Sequence, residues 1–521
     1  MEQHHRSTAT ISSKVQHFHT LNQPFRIYHG STNSTRHASF SRDKIVDVSN
    51  LNNIIAINVA SKTALVEPNV PMDALVHETL KSGLLPPVVM EFPGITVGGG
   101  FVGTAGESSS FKHGFFDRSV IRAEVVLADG TIVQASEHEN SELFEGLRGS
   151  FGTLGVLTLV ELRLVENLGG FVEVTYLPTT SIEHAMQTLQ EEAKKKEVDY
   201  LDGVLFAKNE GVIVSGKLTH KTPETSPDLR IQRFSRAHDE WFWIHAKSLC
   251  RKPTSSPRTE LIPIEDYLFR YDRGAFWTGL YAFQYFHVPF TRFTRWLLDY
   301  FMHTRIMYHA LHASGHTDRF IIQDIAFPAS KAGEFVEWVD GELGLYPLWV
   351  CPLREDGRGS MGYAKPLPSN SPSQPTSTRE SEQEEGLINI GVWGPYASPT
   401  HEYIRMNRAL EAQVQKLSGL KWLYGRVFYT EEEWDSIYDS KSYDAVREKF
   451  GASGLPSIWD KVKERGTGGK DDEVSKKGES WREWVKRWIR RNPGFLSGVY
   501  GVYKAVWGGD YLLAREKKKT W

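Results

Sequence analysis

Two short runs of small and hydroxyl-bearing residues carry the first chemical signal in this protein. Pro93 to Gly114 reads PGITVGGGFVGTAGESSSFKHG, and Gly30 to Ser34 reads GSTNS. Glycine permits positive φ and lets a ligand approach the backbone closely. Successive backbone N–H groups in such a loop form a nest that binds anions, phosphate above all. Ser31, Thr32 and Ser34 add hydroxyls suited to phosphate oxygens, and Arg36 and His37 follow with charge. Gly98, Gly100 and Gly103 satisfy G-x-G-x-x-G. A dinucleotide fingerprint of that form needs a long helix opening at the loop. Gly106, Ser108 to Ser110 and Gly114 break the segment that follows, so no long helix is expected there.

The elements that must hold these runs are short and β-rich. Phe25–Tyr28, Ile45–Val48, Ile54–Ile57 and Ala64–Glu67 read as strands separated by polar breaks. Asn69 to Gly83 reads as a helix, with Pro71 near its start and Met72, Leu75, Val76, Thr79 and Leu80 at helical spacing. Val120 to Leu127 is a strand that turns at Ala128-Asp129-Gly130-Thr131 into Ile132-Val133-Gln134. Asn140 to Leu147 reads as a short helix, and Gly152, Gly155 and Val156 lead into a strand over Leu157 to Leu164.

A sequence of 521 residues is too long for one core, so two or three domains are expected. Hydrophobic content of 40% and charged content of 24% are those of a globular protein in water. Aromatics at 12%, with 15 Trp, suit a large apolar or flat ligand. A net charge of −3 gives no basis for a nucleic-acid partner. Cys250 and Cys351 alone make no disulfide framework, which points to a reducing compartment. No metal site is expected. The first residues, MEQHHRSTAT, hold no apolar signal core, and no apolar run reaches transmembrane length. The expected location is intracellular, cytoplasmic or peripheral on the endoplasmic reticulum membrane, and not secreted.

Residues from about 25 to 166 resemble the FAD-binding domain of the vanillyl-alcohol oxidase/PCMH flavoprotein superfamily. VEPNVPMDAL, the central glycine stretch, VVLADG and LRGSFGTLGV carry the resemblance. It implies an α+β fold: a PCMH-type FAD-binding domain of two α+β subdomains plus an α+β substrate (cap) domain. It implies FAD on the two loops, held by Gly30, Ser31, Thr32, Asn33 and Ser34 in the first. In the second the implied contacts are Pro93, Gly94, Thr96, Gly98, Gly99, Gly100, Gly103, Thr104, Gly106, Ser108 and Ser109, with Gly152, Gly155 and Val156 beyond. Many members join FAD to a histidine within an R-G-x-G-H-S pattern. Asn33 falls at that position here, so a non-covalent cofactor is expected; His29 and His37 flank the loop out of register.

The second half narrows the resemblance. Strands over Phe171–Tyr176, Leu201–Phe206, Gly211–Ser215, Ile321–Phe327 and Leu387–Trp393 alternate with helices over Ser181–Lys194 and Ser330–Val339. IPIEDYLFRYDRGAFW, FIIQDIAFP, YPLWVCPL and the stretch from Lys421 to Gly451 resemble the Δ24-sterol reductases, over roughly residues 25–460. The expected division is an N-terminal extension (1–24), the FAD-binding domain (25–166), a cap domain (167–464) with a disordered insertion (355–385), and a basic aromatic tail (465–521). Animal and plant members of that branch carry an N-terminal membrane anchor that is missing here. In the tail, Trp481, Trp484, Val485 and Trp488 share one helical face and Arg482, Lys486, Arg490 and Arg491 lie off it, the pattern of an interfacial helix. Phe495 to Trp507 is a second apolar piece, too short and too interrupted by Gly498, Gly501 and Lys504 to span a bilayer.

The resemblance implies reduction of an alkene in the aliphatic tail of a sterol or sterol-like lipid, with NADPH as donor. An isolated trisubstituted alkene has no group to stabilise a carbanion, so the lower barrier is proton first. The site then needs a positioned acid on one face and flavin on the other, with aromatic faces around the developing cation. Candidates are Glu107, His113, Tyr267, Arg270, Arg273 and Tyr424. Two other functions use the same frame. An FAD-dependent oxidase, dehydrogenase or ene-reductase of a secondary metabolite would differ in the cap. A non-catalytic lipid-binding protein would keep the fold without flavin.

Overall fold

The computed structural model describes residues 1–30, 32–36, 40–250, 257–354, 363–365, 386–464 and 495–507. The tail stripe from Trp481 to Arg491 and most of the 355–385 stretch therefore lie outside the described residues, as do Ser31 and His37. The protein is α+β, with its strands gathered mainly into a five-stranded and a nine-stranded sheet.

The five-stranded sheet is antiparallel and runs Ile54–Asn58, Thr63–Val66, Val156–Arg163, Val120–Val126, Ile132–Ser136. A parallel pair, Arg26–Tyr28 with Ile45–Asp47, carries the first loop. The first residues are not a loose extension. Glu2–Thr20 is a helix whose His4 bridges Glu67 Oε1 (2.9 Å) and Glu124 Oε1 (3.0 Å). Its Ile11, Val15 and Phe18 are buried in the same core. A helix does open in the glycine stretch, but it is only Val97–Val102, with Thr96 Oγ1 accepting the Gly99 N–H at 3.1 Å.

The nine-stranded sheet explains how the cap delivers side chains. Its order is Arg230–Ile231, Arg258–Pro263, Phe171–Thr179, Glu210–Thr219, Tyr200–Ala207, Leu348–Leu353, Leu387–Pro395, Phe320–Pro328, Leu420–Lys421. Side chains alternate between faces along a strand. Ile321, Ile325, Val350, Ile388, Ile390 and Val392 point to one face, where helices Ile182–Ala193, Ala329–Glu342 and Thr400–Lys416 bury them. Asp202, Asp324, Trp349, Asn389 and Trp393 occupy the opposite register, toward the glycine stretch. Gly391 pairs with Asp324 on one side and Trp349 on the other. A Cβ there would come within 2.8 Å of Asp324 Oδ1, so the two large neighbours fit only because this strand position is bare.

The aromatic-rich stretch before Phe320, which shows no clean periodicity, is helical over Phe242–Cys250, Ile264–Leu268, Thr278–Tyr285, Arg292–Leu297 and Thr304–Ser314. Phe495–Trp507 is a helix that packs on Thr304–Ser314. Gly498 and Gly501 are its docking face: Cβ atoms there would meet Tyr285 at 2.3 Å and the Ala310 carbonyl at 2.6 Å. Within the expected insertion, residues 363–365 are described and packed. Lys365 donates its N–H to Ile437 O, and Tyr363 O accepts from Asp439, so structurelessness does not extend to them.

Candidate active site

A cavity of about 360 Å³ runs between the two sheets, from the first loop along the glycine stretch to the cap. Thr32, Asn33, Ser34, Gly94, Thr96, Gly98, Gly99, Gly103, Gly106 and Gly152 line it. Gly30, Pro93, Gly100, Thr104, Ser108, Ser109, Gly155 and Val156 stand back from its wall.

The glycines of the central stretch serve close packing more than a nest. None from Gly94 to Gly106 has positive φ; Thr104 does, at 50°. A Cβ at Gly98 would meet Pro68 at 2.7 Å, at Gly100 Met90 at 2.5 Å, and at Gly103 the Gly99 carbonyl at 2.7 Å. At Gly99 the nearest atom is Thr96 Oγ1 at 3.1 Å, so Gly99 is the position that presents bare backbone to the cavity. The N–H groups of Val97, Gly98, Gly99, Gly100 and Gly103 all donate within the protein.

Compensation for an anion therefore falls to side chains at the first-loop end. Arg26, Arg36 and Lys461 line the cavity together there. Arg36 donates to Ser34 Oγ (2.9 Å) and to Lys461 O (2.9 Å); Lys461 Nζ donates to Phe151 O (2.6 Å). Among the described residues neither Arg36 nor Lys461 has a carboxylate partner. Burial, then repulsion from Arg26 and Arg36, pushes the Lys461 ammonium down to about 7. A cluster of cations facing a cavity in this way is matched by a diphosphate. The residues present fit FAD: Arg36, Lys461 and the Thr32 hydroxyl would meet its phosphates, while the Ser34 hydroxyl is already donated to Tyr424 O (2.8 Å).

The far end of the cavity is acidic and aromatic. Glu91, Glu107 and Asp324 line it with Phe92, Phe276, Tyr308, Trp349, Trp393, Trp422 and Tyr424. Asp324 accepts from the Tyr424 phenol, from Asn389 Nδ2 (2.9 Å) and from Trp393 Nε1 (3.4 Å). Burial raises its pKa against those bonds. Burial lifts Glu91 to about 7, although Arg270 beside it pulls the other way. Glu107 is half-buried, yet its pKa lies well above the carboxylate range, because its carboxyl is desolvated and because Glu91 and Asp324 repel its charge. A carboxyl held protonated against a cavity wall is a ready acid.

The six candidate catalytic residues separate. Glu107 and Tyr424 face the cavity. Arg270 is one layer behind, donating to Glu91 Oε1 and Asp202 Oδ2, both at 2.9 Å, and so positioning Glu91. Tyr267 is wholly buried with its ring 4.2 Å from the Arg270 guanidinium, away from the cavity. Arg273 is spent on Asp299 and the carbonyls of Phe234, Ala237 and Asp239, inside the cap. His113 is not on the cavity wall; burial lowers its pKa beside Lys112.

Sequence reasoning missed Lys461, Arg26, Glu91, Asp324, Tyr308, Asn389 and the three tryptophans. Lys461, Arg26, Glu91, Tyr308, Asn389 and Trp393 lie in none of the motifs quoted above. Asp324, Trp349 and Trp422 fall inside FIIQDIAFP, YPLWVCPL and the Lys421–Gly451 stretch, which carried the resemblance without marking them as site residues. Trp422 and Tyr424 are held by their own segment: Lys421, buried, pairs with Glu411 at 2.6 Å, and Arg426 pairs with Asp318 at 2.7 Å and Glu464 at 2.9 Å. Trp422 Nε1 donates to Thr104 O (2.8 Å), which clamps the cap segment onto the glycine stretch.

Residues 4–136 match a family model described as an FAD binding domain. That match begins inside the first helix. The protein is 28% identical to the Delta(24)-sterol reductase of Homo sapiens over 421 residues, covering 79% of its own length and 76% of the relative. It is 27% identical to that of Arabidopsis thaliana over 432 residues, covering 78% and 74%. L-gulonolactone oxidase of Bos taurus is 26% identical over 203 residues, covering 39% and 42%. The protein is similar to the Δ24-sterol reductases over most of its length, and it is an FAD-dependent oxidoreductase.

Proposed function

We propose that this protein reduces an isolated trisubstituted alkene in the aliphatic tail of a sterol or sterol-like lipid, with NADPH as electron donor. The observation that carries the reading is Glu107: a carboxyl kept protonated, in the wall of the flavin cavity, among aromatic faces. The two reductase relatives, each matched over most of the sequence, support the substrate class.

Glu107 gives its proton to the less substituted alkene carbon. Positive charge then develops on the tertiary carbon, where the faces of Phe92, Phe276, Trp349 and Trp393 and the carboxyl of Asp324 stabilise it. FAD, when bound and reduced, supplies the hydride that completes the saturated product. The same aromatic walls exclude water, which would otherwise capture the cation as an alcohol. Arg270 and Ser108 hold Glu91 beside Glu107, so the acid is re-protonated within a fixed carboxyl network.

Such a substrate is nearly insoluble in water and has to be collected from a bilayer. No described helix is long and apolar enough to cross a membrane. The reading therefore includes a peripheral contact through the C-terminal segment, on the endoplasmic reticulum membrane. The described part of that segment exposes Val499, Tyr503 and Trp507.

The test is an anaerobic visible spectrum of the purified protein. NADPH should bleach the flavin bands, and a Δ24 sterol should then restore them with formation of the saturated tail. Bleaching by an organic substrate alone, without NADPH, would move the assignment to an oxidase or dehydrogenase.

A further inference from the structure

A second cavity, of about 160 Å³, lies in the cap where Thr278–Tyr285, Thr304–Ser314 and Phe495–Trp507 meet. Tyr308 and Trp393 line both cavities, so the second adjoins the acidic, aromatic end of the first. Its wall is almost entirely apolar: Ala282, Phe286, Met302, Ile306, Leu311 and Val502 are representative. Its polar side chains are mostly spoken for. Thr278 donates to Ala275 O (2.8 Å), Tyr281 to Tyr346 O (3.3 Å) and Ser314 to Leu311 O (3.0 Å); Tyr285 Oη accepts from Gly498 N (3.3 Å).

His316 is the exception. Only 7% of the residue is exposed, it lines the cavity, and neither ring nitrogen has a hydrogen-bond partner of good geometry. Tyr285 packs edge-on against the imidazole at 4.8 Å and fixes its plane. Burial, then repulsion from Arg319, lowers its pKa, and the nearby Ser314 backbone opposes this only in part, so the ring is neutral. A neutral imidazole carries one donor and one acceptor. Leaving them without a well-formed partner in an apolar pocket is costly, and a hydroxyl can satisfy either.

We propose that this cavity receives the hydroxyl-bearing end of the substrate's rigid hydrocarbon body and that His316 hydrogen-bonds that hydroxyl, at the end remote from the alkene. The assignment rests on the sterol reading above and gives it a direction: alkene toward Glu107, alcohol toward His316. Val502, on the C-terminal helix, forms part of the wall, so that helix belongs to the binding cavity.

The experiment measures flavin absorbance perturbation and kcat/KM on the FAD-loaded protein. The probes are a Δ24 sterol with a free 3β-hydroxyl, its 3-deoxy counterpart, and a truncated C8 trisubstituted alkene. The intact protein should favour the alcohol over the deoxy sterol by about tenfold or more, the worth of one buried hydrogen bond. His316→Phe should abolish that preference and His316→Asn should keep part of it, at unchanged flavin content. Val502→Trp should lower kcat/KM for the sterol at least tenfold more than for the truncated alkene. If the unaltered protein binds and reduces alcohol and deoxy sterol equally well, the His316 assignment falls while the reductase reading stands. That measurement needs no variant to fold. If no sterol perturbs the flavin and none is reduced, both fall together.

Discussion

The phenol of Tyr424 donates to Asp324, one hundred positions earlier in the sequence, while the backbone carbonyl of Tyr424 accepts from Ser34 Oγ (2.8 Å) and Thr35 N (3.1 Å). One residue thus ties the acidic end of the cavity to the first loop. This tie and the Trp422–Thr104 clamp beside it hold the cap segment against both the first loop and the glycine stretch.

Replacing Glu107 with Gln removes the proton and keeps the shape. Turnover of the alkene should fall by a factor on the order of 10² to 10⁴, the usual contribution of a positioned general acid. Stopped-flow reduction of the flavin by NADPH should change far less. An equal loss in both half-reactions would mean that Glu107 supports the flavin site instead of the proton transfer.

Lys461 gives FAD affinity a pH dependence. Its ammonium is depressed to about 7 without a bound anion. A diphosphate beside it favours the charged form, so binding above pH 7 takes up a proton. Affinity should weaken with rising pH, by up to tenfold per unit, until the pKa of the bound state is passed. Reconstitution titrations of apoprotein between pH 6 and 9 read this directly. Lys461→Met should weaken binding and flatten the profile; an unflattened profile would assign the effect elsewhere.

His303 sits between Asp272 Oδ2 (2.5 Å) and Asp299 Oδ2 (3.4 Å), whose hydrogen bonds raise it to about 9 despite burial. Its folded pKa exceeds the unfolded value of 6.5, so its stabilisation is complete below pH 6.5 and lost as pH rises through 9. Melting curves of the native protein should fall relative to those of His303→Asn across that window. Parallel curves would remove His303 as the cause.

Neighbouring glycines should fail differently. At Gly100→Ala the new Cβ meets Met90 at 2.5 Å and Phe116 at 2.9 Å, an overpacking that costs about 1–3 kcal/mol of stability. At Gly99→Ala it meets only Thr96 Oγ1 at 3.1 Å, so the fold should hold and FAD affinity should drop. Thermal melts and flavin titrations of the two variants separate these outcomes.

Asn33 faces the cavity where a histidine would be needed for a covalent link. Acid precipitation should release the yellow cofactor into the supernatant. Flavin that stays with the pellet would point to a bond from another side group, with His29 on the same wall the first to be replaced.

The sequence by itself determined what depends on residues close together along the backbone. The glycine and hydroxyl runs marked a surface suited to a phosphate-bearing cofactor, and the short apolar-rich runs over Ile321–Phe327 and Leu387–Trp393 marked the cap strands, because turn chemistry and strand propensity are local properties. Glu107 could be nominated from its place in the glycine stretch. The rise in its pKa could not be read there, because it is set by desolvation and by Glu91 and Asp324, one near in sequence and one far. Asp202, Asp324, Trp349 and Asn389 share a sheet face only once the strands are ordered, and Lys461 joins Arg26 and Arg36 across more than four hundred residues. Electrostatics in a buried cavity depends on distance in space and on excluded water, and neither is written in local spacing. The tertiary structure alone therefore decided which carboxyls have their pKa raised and which side chains meet around the cavity.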